Sequence, residues 1–427
     1  MTTSSLRRQA LILTAANAFT RGLGFLLRLV MARHMSTEAL GVMELAGSVS
    51  MLAMTPVTAG LPTAMSRLAA RRTGKDRQEL LRSGLSLVLR MSLLLMPALL
   101  LLTPGAAWLL GDRRTIPALA ISAPSVLLAG LCGIYSGYCI GMEAPQLPAR
   151  NECLEQLVRT GLIVGLLLGF SGADTALQAA MPGAAGLAGG CVVLLLFCLS
   201  VPAPRQARPD HDTMTQLLRL AWPMMLARLC ASGMRTLNAV LLPVCLRHSG
   251  LSASAATAQY GLLTGMAMPL MLLPGVVTGA LCTVSTPAVS RAEGCGTLRR
   301  LVRRLYLTSG LIGLAASGGL LLLAEPLGLV IFRQAALPPV IRLLSPLALL
   351  ASLRQVQFGM IAGLGLQGRA LTGTLFSSAL TLVLTAWLAP MPWLRLYGAV
   401  LAALAGQSAA VGWNAAILHR ALKERAL

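Results

Sequence analysis

The chain is a succession of long apolar runs, each about as long as the roughly twenty residues a helix needs to cross a bilayer, separated by short polar or basic punctuation. Twelve runs are predicted as transmembrane helices, near 6–33, 40–68, 80–110, 116–141, 149–170, 175–200, 216–246, 256–289, 301–332, 338–366, 370–390 and 395–419. They are rich in Leu and Ala with scattered Gly and Pro, and lack the ten-residue alternation of a membrane barrel. The pattern therefore predicts an all-α polytopic membrane protein. Because the first run leads straight into a second, it is expected to be an uncleaved first helix rather than a signal peptide.

The longest polar, Pro-rich interruption, VPAPRQARPDHDT (201–213), separates two sets of six helices. Lobes at 1–204 and 216–427 are predicted, joined by a cytoplasmic linker at 205–215. The halves echo one another. Arg21 is followed by Arg33-His34 at the same spacing that separates Arg235 from Arg247-His248, and Ala64-Met65-Ser66-Arg67 is answered by Ala288-Val289-Ser290-Arg291. Six helices per half insert both halves in the same orientation, so the repeat is expected to be parallel and the fold two-lobed, as in transporters with a midplane site.

Composition agrees with the membrane reading. Hydrophobic residues make up 56% and charged residues 11%, with mean hydropathy +0.74, against about 25% charged in soluble domains. The net charge of +21 reads as topology. The basic runs SRLAARRTGKDRQELLRS (66–83), APRQAR (203–208) and TLRRLVRR (297–304) fall on the side of the N-terminus, which by the positive-inside rule makes both termini cytoplasmic. A nucleic-acid surface would interleave aromatics with its basic residues, and only 4% of residues are aromatic. No nucleic-acid partner is expected. The nine cysteines (Cys132, Cys139, Cys153, Cys191, Cys198, Cys230, Cys245, Cys282 and Cys295) form no CxxC and are odd in number, so packing rather than disulfide or metal roles is expected. There is no phosphate-binding GK[ST] loop and no acidic pair with metal spacing, and His34, His211, His248 and His419 fall in loops or at helix ends. No enzyme activity, metal or cofactor is expected.

The embedded charges are the candidate chemistry. In FTRGLGFLLRLVMARHMSTEAL (19–40), Arg21 and Arg28 fall mid-span, where a cation costs at least ~2.5 kcal/mol and usually faces a bundle interior or wet cavity. Thr14, Asn17, Arg21, Gly24 and Arg28 follow helical spacing on one face, and the seventh span repeats the theme with Arg228, Ser232, Arg235 and Asn238. Arg21, Arg28, Arg228, Arg235, Asn17 and Asn238 are thus the candidate substrate-binding residues, arginine being suited to phosphate because its planar donors engage two oxygens at once. The competing reading is that these arginines snorkel to headgroups or bind helix carbonyls. Glu44 is placed to pair with a first-helix arginine, or to sit solvated at a helix end. Of the acids, Glu44, Glu155 and Glu325 are placed inside spans, so embedded arginines outnumber carboxylates and an anionic ligand is favoured. Arg90, Arg159, Arg342 and Arg354 read as anchors or interhelical bonds. Pro56, Gly60 and Pro62 interrupt the second helix, and Pro269, Pro274, Gly275, Gly279 and Pro287 the eighth. These mark bent gating helices, or the Pro and Gly common in any transmembrane helix.

TRGLGFLLRLVMARHM, VTAGLPTAMSRLAA, SGYCIGMEAPQLPARNECLEQLVR and TAQYGLLTGMAMPLMLLPGVVTGALCTVSTPAVSRA resemble the stage V sporulation protein B family. These are polysaccharide-biosynthesis-type exporters of the multidrug/oligosaccharidyl-lipid/polysaccharide (MOP) flippase superfamily, related to MurJ-type lipid II flippases. The resemblance implies a MATE-like fold, a central cavity opening alternately to each side, and an undecaprenyl-pyrophosphate-linked saccharide as substrate. Arg21 and Gly24-Phe25 match the family's R-x-x-G-F segment and Arg28 lies close to its second cavity arginine, so the resemblance assigns both to a cavity wall needed for activity. The twelve predicted helices depart from the fourteen of many relatives, whose last two house the lipid tail. The reading is a monomeric flippase in the cell membrane, with a lipid-linked anionic saccharide (a peptidoglycan or polysaccharide precursor) and membrane lipids as partners. A cation-coupled multidrug antiporter of the MATE type is the alternative and would want a carboxylate deep in a lobe; a non-transporting envelope scaffold is a third class.

Overall fold

A computed structural model describes residues 3–170, 172–201, 208–292 and 297–425, with side chains from Ala15 to Glu424. Most of the basic run at 203–208, the start of the expected linker, Cys295 and the Thr14 side chain lie outside the described residues. The regular elements of the described residues are all helical, as apolar runs in lipid demand, since a helix satisfies its backbone hydrogen bonds within itself.

In chain order they are α1 (Thr3–His34), α2 (Thr37–Thr58), α3 (Leu61–Arg71), α4 (Gly74–Leu110), α5 (Thr115–Ser122), α6 (Ser125–Gly141), α7 (Gln146–Gly169) and α8 (Thr175–Ser200). The second series is α9 (His211–His248), α10 (Ala253–Gly261), α11 (Met268–Met271), α12 (Gly275–Ala292), α13 (Leu298–Leu322), α14 (Leu337–Leu344), α15 (Pro346–Gly363), α16 (Gln367–Leu388) and α17 (Leu396–Arg425). A π-helical turn, Leu262–Ala267, joins α10 to α11, and a second occupies Pro326–Ile331.

By length and apolarity, 8 helices qualify as spans among the described residues, or up to 10 if each of two bent pairs is one span, rather than the twelve predicted. The spans predicted near 6–33 and 149–170 correspond to α1 and α7, which are long enough but stand outside that set. α7 carries Arg150, Glu152, Glu155 and Arg159 along its length. The outer faces are apolar: Leu94, Leu101, Leu102 and Trp108 of α4 are exposed, Leu101 by 81%. A stripe of that size is an aggregation liability in water and a natural lipid-facing surface. The protein is a multi-pass membrane protein.

Of the expected interruptions, those at Gly60 and Pro274 coincide with breaks, while Pro56 lies inside α2 and Gly279 and Pro287 inside α12; the break between α14 and α15 is not among those expected. The span made of α2 and α3 breaks at Gly60, whose φ of 87° lies in the left-handed region where a Cβ is strained. A side chain there would also strike the Ala221 backbone of α9. α10–α11 and α12 meet at 54° around Pro274, and α14 meets α15 at 44° at Ser345-Pro346.

The two series repeat one plan: the second and fourth members of each are broken (α2/α3 and α5/α6; α10–α11/α12 and α14/α15), and the opening helices α1 and α9 both end on an Arg-His pair. The packing repeats as well. In α6, Gly137 and Gly141 lie directly on the Pro62 and Ser66 carbonyls of α3; in α15, Gly359 and Gly363 lie on the Cys282 and Thr286 carbonyls of α12. Both are small-xxx-small crossings, which in membranes let backbones approach where larger side chains cannot. By this packing Ser66 corresponds to Thr286, one helical turn before the Ser290 that sequence matching pairs with it. Residues four apart share a helix face, so the matched motif can slide by a turn without leaving the interface.

Compact units do not follow the chain order. The sequence places the division at 205–215; by packing, one unit comprises Met1–Val30 and Val42–Thr236, the other Met31–Gly41 and Leu237–Leu427. α9 up to Thr236 belongs to the first unit, held by the Gly60–Ala221 contact and by Arg72 of the loop after α3, which donates to Thr213 Oγ1 at 3.0 Å and Gln216 Oε1 at 2.8 Å. In the second unit, side chains at Gly41 and Gly261 would overlap the Thr257 and Thr37 carbonyls. The first unit is centred on Leu61, Met65, Leu80, Val88, Ile134 and Leu217, with Tyr135 stacked on Phe197 at 5.5 Å. The second has its own core around Val289, Val302, Val356, Met360 and Leu418.

Candidate functional site

Helical spacing puts Asn17, Arg21, Gly24 and Arg28 on one side of α1, and the first unit surrounds that side with α2 and α7. Arg28 Nη1 donates to Glu44 Oε1 of α2 at 2.9 Å, the arginine side chain 45% and the carboxylate 23% exposed. Of the two sequence alternatives for Glu44, the geometry is the pairing with a first-helix arginine. Arg21 is exposed on the same side, and its charge acts on Glu152 of α7. Between them Gly24 of α1 lies beside α7: a Cβ there would stand 3.4 Å from Gln156 Nε2. One turn and more toward the N-terminus, the Cys153 thiol of α7 reaches the Ala16 carbonyl at 4.0 Å. Asn17 is exposed.

α7 supplies what the sequence reading missed. Glu152 and Gln156 face this site, and Glu152 belongs with Glu44 and Glu155 among the embedded acids. The overlooked signal was the spacing Glu152, Glu155, Gln156, Arg159, a polar stripe on a helix otherwise Leu- and Gly-rich. Arg159 Nη2 donates to Glu155 Oε1 at 3.0 Å, one turn back on its own helix. Gly186 and Gly189 of α8 make the room: Cβ atoms there would lie 3.4 Å from Arg159 Nη2 and 3.2 Å from Glu155 Cγ. Arg159 is therefore an intrahelical ion pair set in a glycine cleft.

Around this site Arg21, Arg28 and Arg159 are accompanied by Glu44, Glu152 and Glu155, while Arg33 and Arg150 add further positive charge to α1 and α7. Two further candidate cations sit on α9. Arg228 and Arg235, two turns apart on one face, are exposed and make no hydrogen bond or ion pair among the described residues. Between them Ser232 is buried. Next to Arg235, Thr236 Oγ1 donates to the Ser48 carbonyl of α2 at 2.9 Å, which sets this part of α9 against α2 one turn from Glu44. Asn238 belongs to the second unit, where its Oδ1 is buried with no hydrogen-bond partner among the described residues.

Of the other embedded arginines, Arg342 pairs with Glu325 at 2.6 Å and Arg354 donates to Gln407 Oε1 of α17 at 2.7 Å. Both are second-unit tethers that leave the substrate-binding candidates untouched.

Comparison with known proteins agrees with the geometry. A family model described as "Polysaccharide biosynthesis protein" matches residues 6–293. The chain is 28% identical over 432 residues to stage V sporulation protein B of Bacillus subtilis (strain 168), covering 96% of this chain and 83% of that protein. Among solved structures it is similar to an inward-facing multidrug resistance MATE family transporter of the MOP superfamily (TM-score 0.74, 17% identity, 97% of this chain and 99% of that one). It is also similar to the lipid II flippase MurJ in an inward closed conformation (TM-score 0.72, 13% identity, 96% and 87%). The chain belongs to the polysaccharide biosynthesis protein family and has the fold of the MOP superfamily.

Proposed function

We propose that the protein is a flippase rather than an enzyme, carrying a lipid-linked, pyrophosphate-bearing saccharide across the cell membrane by alternating access. The observation that carries the reading is the pair of cations on α9, Arg228 and Arg235, unpartnered among the described residues and on a helix that Thr236 ties to α2 one turn from the Arg28–Glu44 pair. A diphosphate offers several oxygens to such a pair, and guanidinium forks engage them bidentately. Arg21 and Arg28 complete the set. Without substrate Arg28 is parked on Glu44, which keeps an embedded cation satisfied; the arriving diphosphate competes for it. Asn17, exposed one turn from Arg21, adds a hydrogen bond. Membership of a polysaccharide biosynthesis family supports the saccharide, and the basic runs support both termini in the cytoplasm. A monomer with lipids as its surroundings fits the apolar outer faces.

The test is translocation of a fluorescent undecaprenyl-diphosphate saccharide in proteoliposomes beside a melting curve. Arg228→Ala with Arg235→Ala is expected to lower the rate about tenfold to a hundredfold, the loss of one charge-assisted contact or two, with the melting temperature nearly unchanged. A well-folded double variant that transports at the wild-type rate overturns the clamp.

A second reading has one observation in its favour. Glu44, Glu152 and Glu155 supply the embedded carboxylates that a cation-coupled antiporter of the MATE type needs. Glu44→Gln separates the two. It releases Arg28 to the diphosphate and tightens or preserves substrate binding in a flippase, whereas an antiporter using Glu44 loses proton- or sodium-driven efflux of a cationic dye.

A further inference from the structure

A cavity of about 490 Å³ lies in the second unit at helix ends remote from the C-terminus, and none of its residues belongs to the site described above. Its wall combines Trp393, Arg395 and Tyr397, from the turn between α16 and α17 and the start of α17, with Gln334 from the loop before α14, Gln259 of α10 and Thr37 of α2. Trp393 is 77% exposed and Tyr397 is also exposed, so two amphipathic rings are presented to the opening. The amides line the wall behind them. Gln259 Oε1 is buried without a hydrogen-bond partner among the described residues, a costly condition for an acceptor unless something donates to it.

The turn is held rigidly in this form. Leu394 and Arg395 amides both donate to the Met391 carbonyl, at 3.1 and 2.9 Å, and the Tyr397 amide donates to Leu394 at 2.9 Å. Arg395 adopts φ 44° and Arg333, beside Gln334, φ 53°. Both loops thus keep a non-glycine residue in the left-handed region, a strained conformation that clusters at ligand-binding sites. Aromatic faces for the apolar side of a ring, amides that both give and accept, and one cation form a polar-rimmed concave site. Rings with apolar faces and hydroxyl rims are pyranoses.

We propose that this cavity binds a saccharide unit, stacked on Trp393 and Tyr397, with a hydroxyl donating to Gln259 Oε1 and Gln334 and Arg395 reading further oxygens. The site rests on the flippase reading for its role. With the termini cytoplasmic it faces the outer side, where it receives the saccharide of the translocated lipid; its chemistry stands apart from the diphosphate clamp of the first unit.

The experiment uses the full chain in detergent with Trp108, Trp222, Trp387 and Trp413 changed to Phe, so that emission reports Trp393 alone. Chitobiose, maltose and a uronic-acid disaccharide are the probes. At least one is expected to shift the emission at millimolar concentration, with Gln259→Leu and Tyr397→Ala each weakening the effect about tenfold. If the four-Phe chain does not fold, equilibrium dialysis of the same radiolabelled disaccharides against the unmodified chain, Trp393→Ala and Gln259→Leu makes the same decision. No response up to about 100 mM, far above the range of a weak site, overturns the proposal, as does quenching of Trp393 by brominated acyl chains alone, which would make it a membrane-interface anchor. Competition by undecaprenyl phosphate lacking sugar also overturns it, because the ligand would then be a lipid headgroup. Translocation measured on the same preparation keeps the readings apart. Transport without saccharide binding removes the cavity and leaves the flippase, and saccharide binding without transport does the reverse.

Discussion

The helix pairs α7–α8 and α16–α17 hold corresponding places, fifth and sixth in their series, and both close on glycines, but the clefts are filled differently. In the first unit Gly186 and Gly189 accommodate the Arg159–Glu155 ion pair. In the second, Gly373 lies on the Trp413 ring and Gly406 on the Thr381 hydroxyl, with Phe376 stacked on Trp413 at 5.8 Å and the indole Nε1 donating to the Arg369 carbonyl at 3.2 Å. Charge occupies one crossing and aromatic surface the other. Away from these crossings the units are mixed: the first holds Arg28–Glu44, the α9 arginines and the Tyr135–Phe197 stack, and the second holds Arg342–Glu325 beside amide contacts such as Gln357 Nε2 donating to the Tyr306 hydroxyl at 3.0 Å. The repeat is thus a repeat of scaffold, and equivalent crossings carry different chemistry.

The shared scaffold makes the largest prediction. Gly137→Leu and Gly359→Leu each force a side chain into a carbonyl of the crossing helix, and overpacking of this kind costs about 1–3 kcal/mol or more. Both variants are expected to melt well below wild type, and by similar amounts. Gly47→Leu, where nothing lies within 4 Å, is the control expected to leave melting unchanged. A large loss at one crossing only would break the equivalence of the two units.

The unshared chemistry predicts a smaller, patterned effect. Glu155→Gln strands Arg159 and is expected to cost about 1 kcal/mol, the pair being about one-third exposed. Adding Arg159→Gln should recover most of that loss. At the corresponding crossing Trp413→Ala is expected to cost about 1 kcal/mol through lost stacking and to be rescued by no charge change. Double-mutant cycles of melting temperature check both.

The smallest effect is a pH dependence at the start of α9. Asp210 accepts from the Thr213 amide at 2.8 Å, and hydrogen bonds from Thr213, aided by the Asp212 amide, hold its carboxyl below the usual carboxylate range. A lowered folded value means the stabilisation is fully present above the unfolded value, ~3.9, and is lost only as pH falls through the folded one. Hydrogen exchange in the first turn of α9 should therefore be faster in Asp210→Ala than in wild type at neutral pH. The difference should hold down to about pH 4 and then fade as pH falls through the lowered folded value.

Much of this was legible in the sequence. Spans were, because a helix in lipid closes its own hydrogen bonds and needs only a long apolar run; the breaks at Gly60 and Pro274 were, because those residues act on their own backbone. The Arg-His ends of α1 and α9 matched at equal spacing. The counts of spans and of embedded acids were less secure, since α7 mixes four charges with apolar turns and blurs its own boundary. Its Glu152 escapes that reading although it lies next to Cys153 and one turn from Gln156, both of which approach α1.

What the sequence by itself determined is the membrane-spanning all-α architecture, its repeat, and which residues carry embedded charge, all properties of periodicity within one helix. Only the tertiary structure decided who meets whom. Arg28 is bound to Glu44 while Arg228 and Arg235 have no partner among the described residues, Thr286 rather than Ser290 lies under Gly363, and the compact units divide inside α9 at Thr236. Each of these depends on how two helices cross and on which turn of one meets which turn of the other, and a four-residue slide that leaves every local pattern intact changes every partner.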